Sequence, residues 1–194
     1  MLIVLDPAGA EGDLTANAIW CPSCTSGRLR PWGYARTRVL RGLRGARVSV
    51  RPRRARCGSC AATHVLLPAE VAPRRADTVE VVVEALLAHQ GGAGHRAIAA
   101  DLHVPAATVR SWLRRITARA EWLRQRATMW AHQRDPMLAP ITPTGSLLGD
   151  AVEALGVAVG AHRRRLGINA SPWQILTIIA GGRLLAPLPP ALSG

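Results

Sequence analysis

The four cysteines of the 194-residue chain fall as two C-x-x-C pairs, Cys21–Cys24 and Cys57–Cys60, with 32 residues between the pairs. A C-x-x-C turn places two sulfurs on one tight backbone knuckle, and zinc prefers four tetrahedral thiolate or imidazole ligands. The spacing therefore predicts one structural zinc ion, with Cys21, Cys24, Cys57 and Cys60 as its ligands. We expect the ion to contribute on the order of 10 kcal/mol of folding free energy to a module that is too small to bury a sufficient core.

The same cysteines have alternative interpretations. A disulfide framework suits a secreted protein, but Met1–Asp6 lacks the basic region and the long apolar core of a signal peptide. A redox C-x-x-C needs one motif rather than a matched pair. His64, four residues after Cys60, can replace one sulfur, although a histidine beside four cysteines is more often a bystander. Structural zinc is the favoured interpretation.

Arginine carries all of the positive charge of the side chains apart from histidine. The chain has 25 Arg and no Lys against 12 Asp and Glu, a net charge of +13, and residues 1–76 hold 13 Arg against four acids. Such a surface attracts polyphosphate, although a solvated basic face or affinity for an anionic membrane has the same charge. The absence of Lys and Phe indicates a high-GC bacterial genome, and no apolar run is long enough to span a bilayer. We expect a cytoplasmic bacterial protein without a membrane partner.

The first third of the chain predicts a small sheet. We expect a loose N-terminal arm over residues 1–20, with one short strand in it. Residues 47–51 alternate polar and apolar side chains with period two, and residues 36–39 predict the partner strand, with Gly42 and Gly45 in the turn. The strands and the knuckles together predict an antiparallel zinc ribbon over residues 21–67. The arginines before the second knuckle are candidates for phosphate contact, although charge also protects an edge strand from aggregation. They are Arg51, Arg53, Arg54 and Arg56.

These residues carry a resemblance to a known family. The order Cys-Pro-x-Cys, an arginine-rich hairpin and Arg53-Arg54-x-Arg56-Cys57-x-x-Cys60 resembles the N-terminal zinc ribbon of certain insertion-sequence transposases and of uncharacterised zinc-ribbon proteins of high-GC bacteria. The resemblance covers about residues 21–67. The glycine that is common after each knuckle in that family is Thr25 and Ala61 here. In the transposases, such modules recognise the end of the element, and a catalytic domain with three acidic residues follows.

Residues 77–133 predict a helical domain after a linker at 68–76. Asp77 is the expected N-cap of its first helix, with Glu80 completing a capping-box-like pair. The stretch from His95 to Arg115 has the spacing of a helix-turn-helix and is similar to the form found in bacterial transposases and repressors. Its usual turn glycine is His103, a residue type that tolerates positive φ. Its usual capping serine is Pro105, which suits the first position of a helix.

The second helix of this motif has two distinct faces. Its predicted inward face consists of Val109, Trp112, Leu113 and Ile116. Helical geometry then turns the remaining face outward. This outward face, on which we place the candidate DNA contacts, consists of Ala106, Ala107, Arg110, Ser111 and Arg114.

The outward side chains suit contact with the major groove of DNA. Arg110 and Arg114 are long enough to reach guanine edges or phosphates, Ser111 can pair with either, and the alanines permit close approach or meet a thymine methyl group. His95 and Arg96, at the beginning of the preceding helix, are placed to touch phosphate. A helical trio used only for packing, with solvated arginines, would have the same pattern.

The rest of the chain predicts further helices. We expect the recognition helix to continue to Gln133, with its tryptophans in packing roles, and to be followed by a proline-punctuated linker at 134–145. Residues 146–194 predict a helical pair, its first helix capped by Ser146 and its second begun by Ser171-Pro172. The second helix is apolar nearly all round, so the first helix, the upstream tryptophans or a partner must cover it. Residues 146–185 are the candidate surface for a homodimer or a protein partner.

The sequence therefore predicts an α+β protein: a small antiparallel zinc ribbon, a mainly α-helical helix-turn-helix domain and a C-terminal helical segment. The favoured function is binding of double-stranded DNA in an accessory or regulatory role. No catalytic constellation and no small-molecule substrate are expected, so we predict that the protein is not an enzyme. The alternative is an adaptor that docks on a recombinase or polymerase through the ribbon and the C-terminal helices. RNA binding by the ribbon is a weaker hypothesis, because the absence of Phe and the single Tyr34 offer little stacking surface for bases.

Overall fold

The computed structural model describes residues 1–166 and 170–186 and is α+β, with seven helices and six strands in those ranges. Residues 167–169 and 187–194 of the predicted C-terminal pair lie outside the described part. The strands are β1 (Leu2–Val4), β2 (Leu29–Tyr34), β3 (Arg38–Arg41), β4 (Arg47–Val50), β5 (Arg53–Cys57) and β6 (Thr63–Pro68). The helices are α1 (Pro7–Thr15), α2 (Val79–Gln90), α3 (His95–Asp101), α4 (Ala106–Thr117), α5 (Ala120–Arg134), α6 (Leu147–Leu166) and α7 (Pro172–Ile179).

The main sheet is mixed rather than purely antiparallel. Its order is β1-β6-β5-β2, and β1 pairs in parallel with β6, with Leu2 opposite Leu66. The short strand expected in the N-terminal arm is present as β1, whereas the rest of the arm is not loose, because α1 was not expected at Pro7–Thr15. The apolar start of the chain is covered as an edge strand, and Asp6 caps α1 by accepting a hydrogen bond from the Ala8 N–H at 2.9 Å. Pro7, directly after Asp6, suits the first position of that helix.

The predicted hairpin is confirmed as β3 and β4, which pair antiparallel from Arg38 opposite Val50 to Arg41 opposite Arg47. The hairpin is a separate two-stranded sheet and does not carry the knuckles, contrary to the sequence prediction. Pro52 separates β4 from β5 and has no N–H to continue a ladder. The knuckles instead adjoin β2 and β5, the two strands that pair with each other in the main sheet. We call residues 1–34 and 51–68, which contain α1, β1, β2, β5, β6 and the two knuckles, the knuckle region.

Helix α2 begins one residue later than predicted. Thr78 is the N-cap of α2, and no side chain caps it. Asp77, the expected cap, is 2% exposed and accepts a hydrogen bond from Arg41 of the hairpin, with Nε and Oδ1 2.7 Å apart. The Asp77 carboxylate was predicted to cap α2, but it pairs with Arg41 of the hairpin instead. A buried charge needs a partner of opposite charge.

Two short helices, α3 and α4, follow α2 and are joined by a tight turn at residues 102–105. His103 in that turn has the positive φ expected of it, 53°. Pro105 is the N-cap of α4 rather than its first helical residue. The prediction that α4 continues to Gln133 is wrong, because the helix ends at Thr117 and α5 begins after Arg119. Arg119 is 2% exposed, donates to the Ala186 carbonyl at 2.6 Å and so holds this corner against the end of the described chain.

Helices α2 to α7 share one apolar core. Ser171 and Gln174 form a capping box at the start of α7, as the predicted cap position requires. The apolar side chains of α7, including Ile175 and Ile179, are buried against α2, α5 and α6, so helices of the same chain cover it. Trp122 and Trp130 of α5 pack against this core, as predicted. None of the described helices combines the length and the apolar character that a membrane crossing requires.

Candidate metal centre and nucleic-acid interface

The two knuckles have nearly the same backbone geometry. In each, the residue after the second cysteine has a left-handed conformation: φ is 58° at Thr25 and 59° at Ala61. The zinc ribbons of insertion-sequence transposases, which this stretch resembles, commonly have glycine at these two positions. Here non-glycine residues adopt the conformation that the turn requires. Backbone N–H groups point at sulfur in both turns, from Ser23 to Cys21 at 3.4 Å and from Ser59 to Cys57 at 3.3 Å.

The turns bring the four sulfurs into one cluster. Among the described residues, Cys21, Cys24, Cys57 and Cys60 are the group that can hold a metal ion, and their sulfurs all lie within 4.8 Å of one another. Two pairs that join opposite knuckles, Cys21 with Cys60 and Cys24 with Cys57, are each 3.7 Å apart. A tetrahedral ion with metal–sulfur bonds of about 2.3 Å needs sulfurs about 3.8 Å apart. The predicted clustering is confirmed, and the spacing fits one structural ion.

Gly27 packs against the second knuckle, and only a glycine fits at this position. A Cβ atom at this position would lie 2.5 Å from the Cys57 sulfur and 2.7 Å from the Ser59 hydroxyl. Cys21 also donates its N–H to the Gly27 carbonyl at 2.8 Å, which ties the first knuckle to the chain that leads into β2. The first knuckle thus packs against the second through a contact that no larger side chain permits.

The electrostatics of the cluster favour thiolates at Cys24 and Cys57 but not at Cys60. The Ala62 N–H lowers the pKa of Cys60, but burial and hydrogen bonds with the other three sulfurs raise this pKa to about 11. Backbone N–H groups of Gly27 and then Ser26 donate to the Cys24 sulfur and lower the pKa of this thiol to about 6. The pKa of Cys57 is lowered chiefly because the Cys60 N–H donates to its sulfur. Thiolates are the form in which cysteine binds metal. Several negative sulfurs within 4.8 Å repel one another, so a bound cation stabilises the arrangement.

His64 is a neighbour of the cluster. Its Nε2 lies 3.5 Å from the Cys21 sulfur, and its side chain is buried at 6% exposure. Burial lowers the pKa of the imidazole, and the positive N-terminus lowers it further. A neutral ring can donate Nε2–H to a thiolate, so His64 is placed to orient Cys21 while the four cysteines supply the ligand set.

The helices place most of the predicted DNA contacts on the surface. Val109, Trp112, Leu113 and Ile116 of α4 are between 0 and 6% exposed, so the predicted inward face is confirmed. Arg110, Arg114 and Ala107 are exposed on the opposite side. In the described part of the chain neither guanidinium has an ion pair or a hydrogen bond.

The remaining predicted contacts on α3 and α4 are less accessible. Ser111 is half-buried and accepts a hydrogen bond from Arg115 at 3.4 Å. Ala106 is half-buried and packs against the helical core. On α3, Arg96 is exposed and His95 is half-buried.

The predicted ribbon arginines differ in their surroundings. The Arg53 side chain is held by Glu11 of α1, with Nε and Oε2 2.6 Å apart, and it also donates to the Gly33 carbonyl at 2.8 Å. Arg53 is thus a structural residue that fixes α1 to the sheet. Arg51 is exposed and Arg54 is half-buried, and both lack an acidic partner among the described residues.

The knuckle region carries aromatic side chains that the sequence reasoning overlooked. Trp20, Trp32 and Tyr34 are 54%, 47% and 48% exposed. The guanidinium carbon of Arg28 lies 3.2 Å from the centre of the Trp20 ring, and that of Arg56 lies 4.7 Å from the centre of the Trp32 ring. The expectation of little stacking surface is therefore wrong. The available signal was the Arg30–Tyr34 stretch directly after the first knuckle, where aromatic and basic residues mix in a strand.

Comparisons of this chain with models of protein families, with curated proteins and with solved structures find no match.

Proposed function

We propose that this chain is a zinc-stabilised helix-turn-helix protein that binds double-stranded DNA in an accessory or regulatory role. The observation that carries the proposal is the two-faced helix α4, which buries four apolar side chains and leaves Arg110 and Arg114 exposed without acidic partners in the described chain. A helix with this division of faces, preceded by a short helix and a tight turn, suits the major groove.

The two arginines lie four residues apart and hence on the same side of the helix, about one turn from each other. Arginine pairs with the O6 and N7 atoms of guanine through two parallel hydrogen bonds, and Ala107 beside them permits close approach. Arg96 at the beginning of α3 is exposed and long enough to contact phosphate on the flanking backbone. This arrangement supports reading of a short sequence by α4.

The charge distribution supports the same proposal. Residues 1–76 carry 13 Arg against four acids, and one of these acids, Glu11, is already paired with Arg53. The uncompensated charge attracts a polyanion and makes its binding depend on salt through the release of counterions. The knuckle region, with the predicted phosphate contacts Arg51 and Arg54, would hold the backbone beside the site that α4 reads.

Zinc is the ion we assign to the cysteine cluster. Four thiolates at tetrahedral spacing are a ligand set that zinc occupies in structural sites. Its role here would be to hold β2 and β5 in register and so present the basic residues of the knuckle region. A chain purified with one zinc per molecule is the expected result of metal analysis.

The test is a mobility shift with matched charge variants, after selection of a duplex site from a random pool. Arg110→Ala plus Arg114→Ala is expected to weaken binding of the selected site about a hundredfold or more, since each bidentate base contact contributes about 1–3 kcal/mol. Arg163→Ala plus Arg165→Ala removes the same charge from exposed positions on α6 and should change the affinity far less. Equal losses in both double variants would reject recognition by α4. A zinc-loaded protein that shifts no duplex at any salt concentration would favour the adaptor instead.

A further inference from the structure

The exposed tryptophans of the knuckle region lie on one face of the edge strand β2 and of the chain that pairs with its start. Trp20 lies opposite Arg28, Arg30 lies opposite Arg56, and alternate residues of a strand share a face. The guanidinium carbon of Arg28 lies 3.2 Å from the centre of the Trp20 ring, and that of Arg56 lies 4.7 Å from the centre of the Trp32 ring. Both tryptophans are about half exposed. We define the aromatic–arginine strip as Trp20 and Trp32 together with Arg28, Arg30, Arg54 and Arg56.

Tyr34 does not belong to the strip. It follows a bulge in β2 and lies opposite Arg53, so it faces the other side of the sheet.

These rings are not needed by the apolar cores. Among residues 1–166 and 170–186, the other tryptophans are buried or packed against the helical core: Trp112, Trp122, Trp130 and Trp173. The exposed aromatic rings of the described chain are therefore confined to the knuckle region. Exposed aromatic groups that are collected at one surface, rather than scattered, mark an interaction site.

Two arginines of the strip face each other across the β2–β5 strand pair, which is unfavourable without a bound anion. Arg30 of β2 lies directly opposite Arg56 of β5 in the sheet register. Like charges directly opposite each other destabilise a strand pair. Arg54 lies two residues before Arg56 on β5 and hence on the same face. A polyanion along the strip would remove this repulsion.

The strip is also held in place by its neighbours. A bulge interrupts β2 between Pro31 and Tyr34, and Gly33 within it has a φ of 73°. Arg53 donates to the Gly33 carbonyl, is paired with Glu11, and lies 4.5 Å from the centre of the Tyr34 ring. These contacts fix the bulge, which contains Trp32, so part of the ordering needed for binding is already present.

We propose that the aromatic–arginine strip binds single-stranded DNA, with unpaired bases stacked on Trp20 and Trp32 and with phosphates contacted by the arginines. Base stacking on aromatic side chains beside a basic groove is the chemistry by which proteins hold single strands. A duplex hides the faces of its bases, so phosphate contact alone would not need exposed rings. The six-residue strand β2 spans about 20 Å, the length of about six stacked nucleotides.

The choice of DNA over RNA rests on the proposed function, in which the same chain binds duplex DNA through α4. Two surfaces on one chain would bind a duplex that continues into a single strand more tightly than either part alone. The strip itself does not depend on α4, so the two proposals fail separately.

The experiment measures fluorescence anisotropy of labelled 20-nucleotide strands with the zinc-loaded full chain. The probes are a mixed-sequence DNA strand, its duplex and the RNA strand of the same sequence. Trp20→Ala plus Trp32→Ala is expected to weaken single-strand binding about ten- to hundredfold and duplex binding less than twofold. Trp20→Phe plus Trp32→Phe keeps a stacking surface and should bind nearly as the unsubstituted protein does. All of these variants keep the charge, so phosphate attraction is unchanged.

Arg110→Ala plus Arg114→Ala should leave single-strand binding intact, which separates this proposal from the one for α4. A second measurement does not depend on any variant: photocrosslinking of single strands that contain 5-iodouracil should place the crosslinks on Trp20 or Trp32. Single-strand affinity that is unchanged in the alanine variant, crosslinks confined to α4, or tighter binding of the RNA strand than of the DNA strand would each overturn the proposal.

Discussion

The knuckle region and the helical region are stabilised in different ways. In the described part of the chain, the helical core contains 31 buried residues drawn from α2 to α7 and their connections. The core of the knuckle region contains seven, and two of these are the cysteines Cys21 and Cys57. Burial of apolar area contributes about 25 cal/mol per Å², so the helical region has the larger apolar contribution. We infer that the stability of the knuckle region depends on the proposed metal ion and that the stability of the helical region does not.

The largest effect should follow loss of one metal ligand. Cys57→Ser replaces a buried sulfur whose neighbour Cys24 is 3.7 Å away, and structural zinc contributes about 10 kcal/mol or more to small modules. We expect the variant to purify without zinc and to lose the ordered structure of the knuckle region. Circular dichroism should nevertheless retain the helical signal and its cooperative thermal transition.

Ser59→Ala, in the same knuckle, is the control for that substitution. Its side chain is exposed and is not a ligand, so zinc content should stay at one per chain. Simultaneous loss of the helical transition in Cys57→Ser would contradict the separation between the two regions.

A truncation in the helical core should have the opposite pattern. Ile175 of α7 is 0% exposed, and replacing a buried isoleucine by alanine costs about 2–5 kcal/mol. We expect Ile175→Ala to lower the free energy of unfolding of the helical region by about 3 kcal/mol in urea titrations. Zinc content should not change. Ile178→Ala on the half-buried side of α7 should cost clearly less, and equal costs would show that α7 is not packed as described.

Gly27 offers a smaller change within the knuckle region alone. Gly27→Ala drives a methyl group against the Cys57 sulfur, whereas Gly58→Ala in the second knuckle meets nothing closer than 3.7 Å. Overpacking costs about 1–3 kcal/mol, so competition with a chelator should show zinc affinity reduced about ten- to hundredfold in the first variant. The second variant should bind zinc as the unsubstituted chain does. Reversal of this order would contradict the packing of the two knuckles.

The smallest effect concerns pH and the helical region. His162 of α6 is 4% exposed and both ring nitrogens lack a hydrogen-bond partner in the described chain. Burial lowers its pKa, and the charge of Arg134 lowers it further. The unfolded chain therefore binds this proton at higher pH than the folded chain does. The stability of the helical region should fall as the pH decreases from about 6.5 towards the lowered folded pKa.

His162→Leu should remove this part of the pH dependence. We expect unfolding titrations in urea, with zinc present at every pH, to give the same or higher stability than the unsubstituted chain at pH 8 and a shallower decline towards pH 5.5. Comparison of the two proteins cancels the contribution of the knuckle region. An identical decline in both would assign the pH dependence to other groups.

Sequence patterns correctly predicted those features that depend on residues close together in the chain. The C-x-x-C spacing predicted the sulfur cluster because a knuckle is a short-range turn, and the helical period of α4 predicted which of its side chains are buried. Asp77 was wrongly predicted as a cap because its partner, Arg41, is 36 residues away in sequence. The break between α4 and α5 was missed because the contact that holds Arg119 comes from Ala186.

The candidate interface was predicted only in part for a similar reason. Exposure of Arg110 and Arg114 follows from helical geometry. Exposure of Trp20 and Trp32 depends on β2 being the edge strand of the sheet, and no local sequence pattern predicts which strand lies at the edge. Arg53 was predicted to contact DNA, but it forms an ion pair with Glu11. The sequence did not predict α1, the helix that carries Glu11.

Hydrogen exchange of the zinc-loaded chain before and after chelation measures whether the knuckle region alone depends on the ion. We predict that removal of zinc abolishes amide protection in β2 and β5, the strands that adjoin the knuckles, while α2, α4, α5 and α6 keep theirs. Protection that survives in β2 and β5 without zinc, or that disappears from all of these elements together, would contradict this prediction.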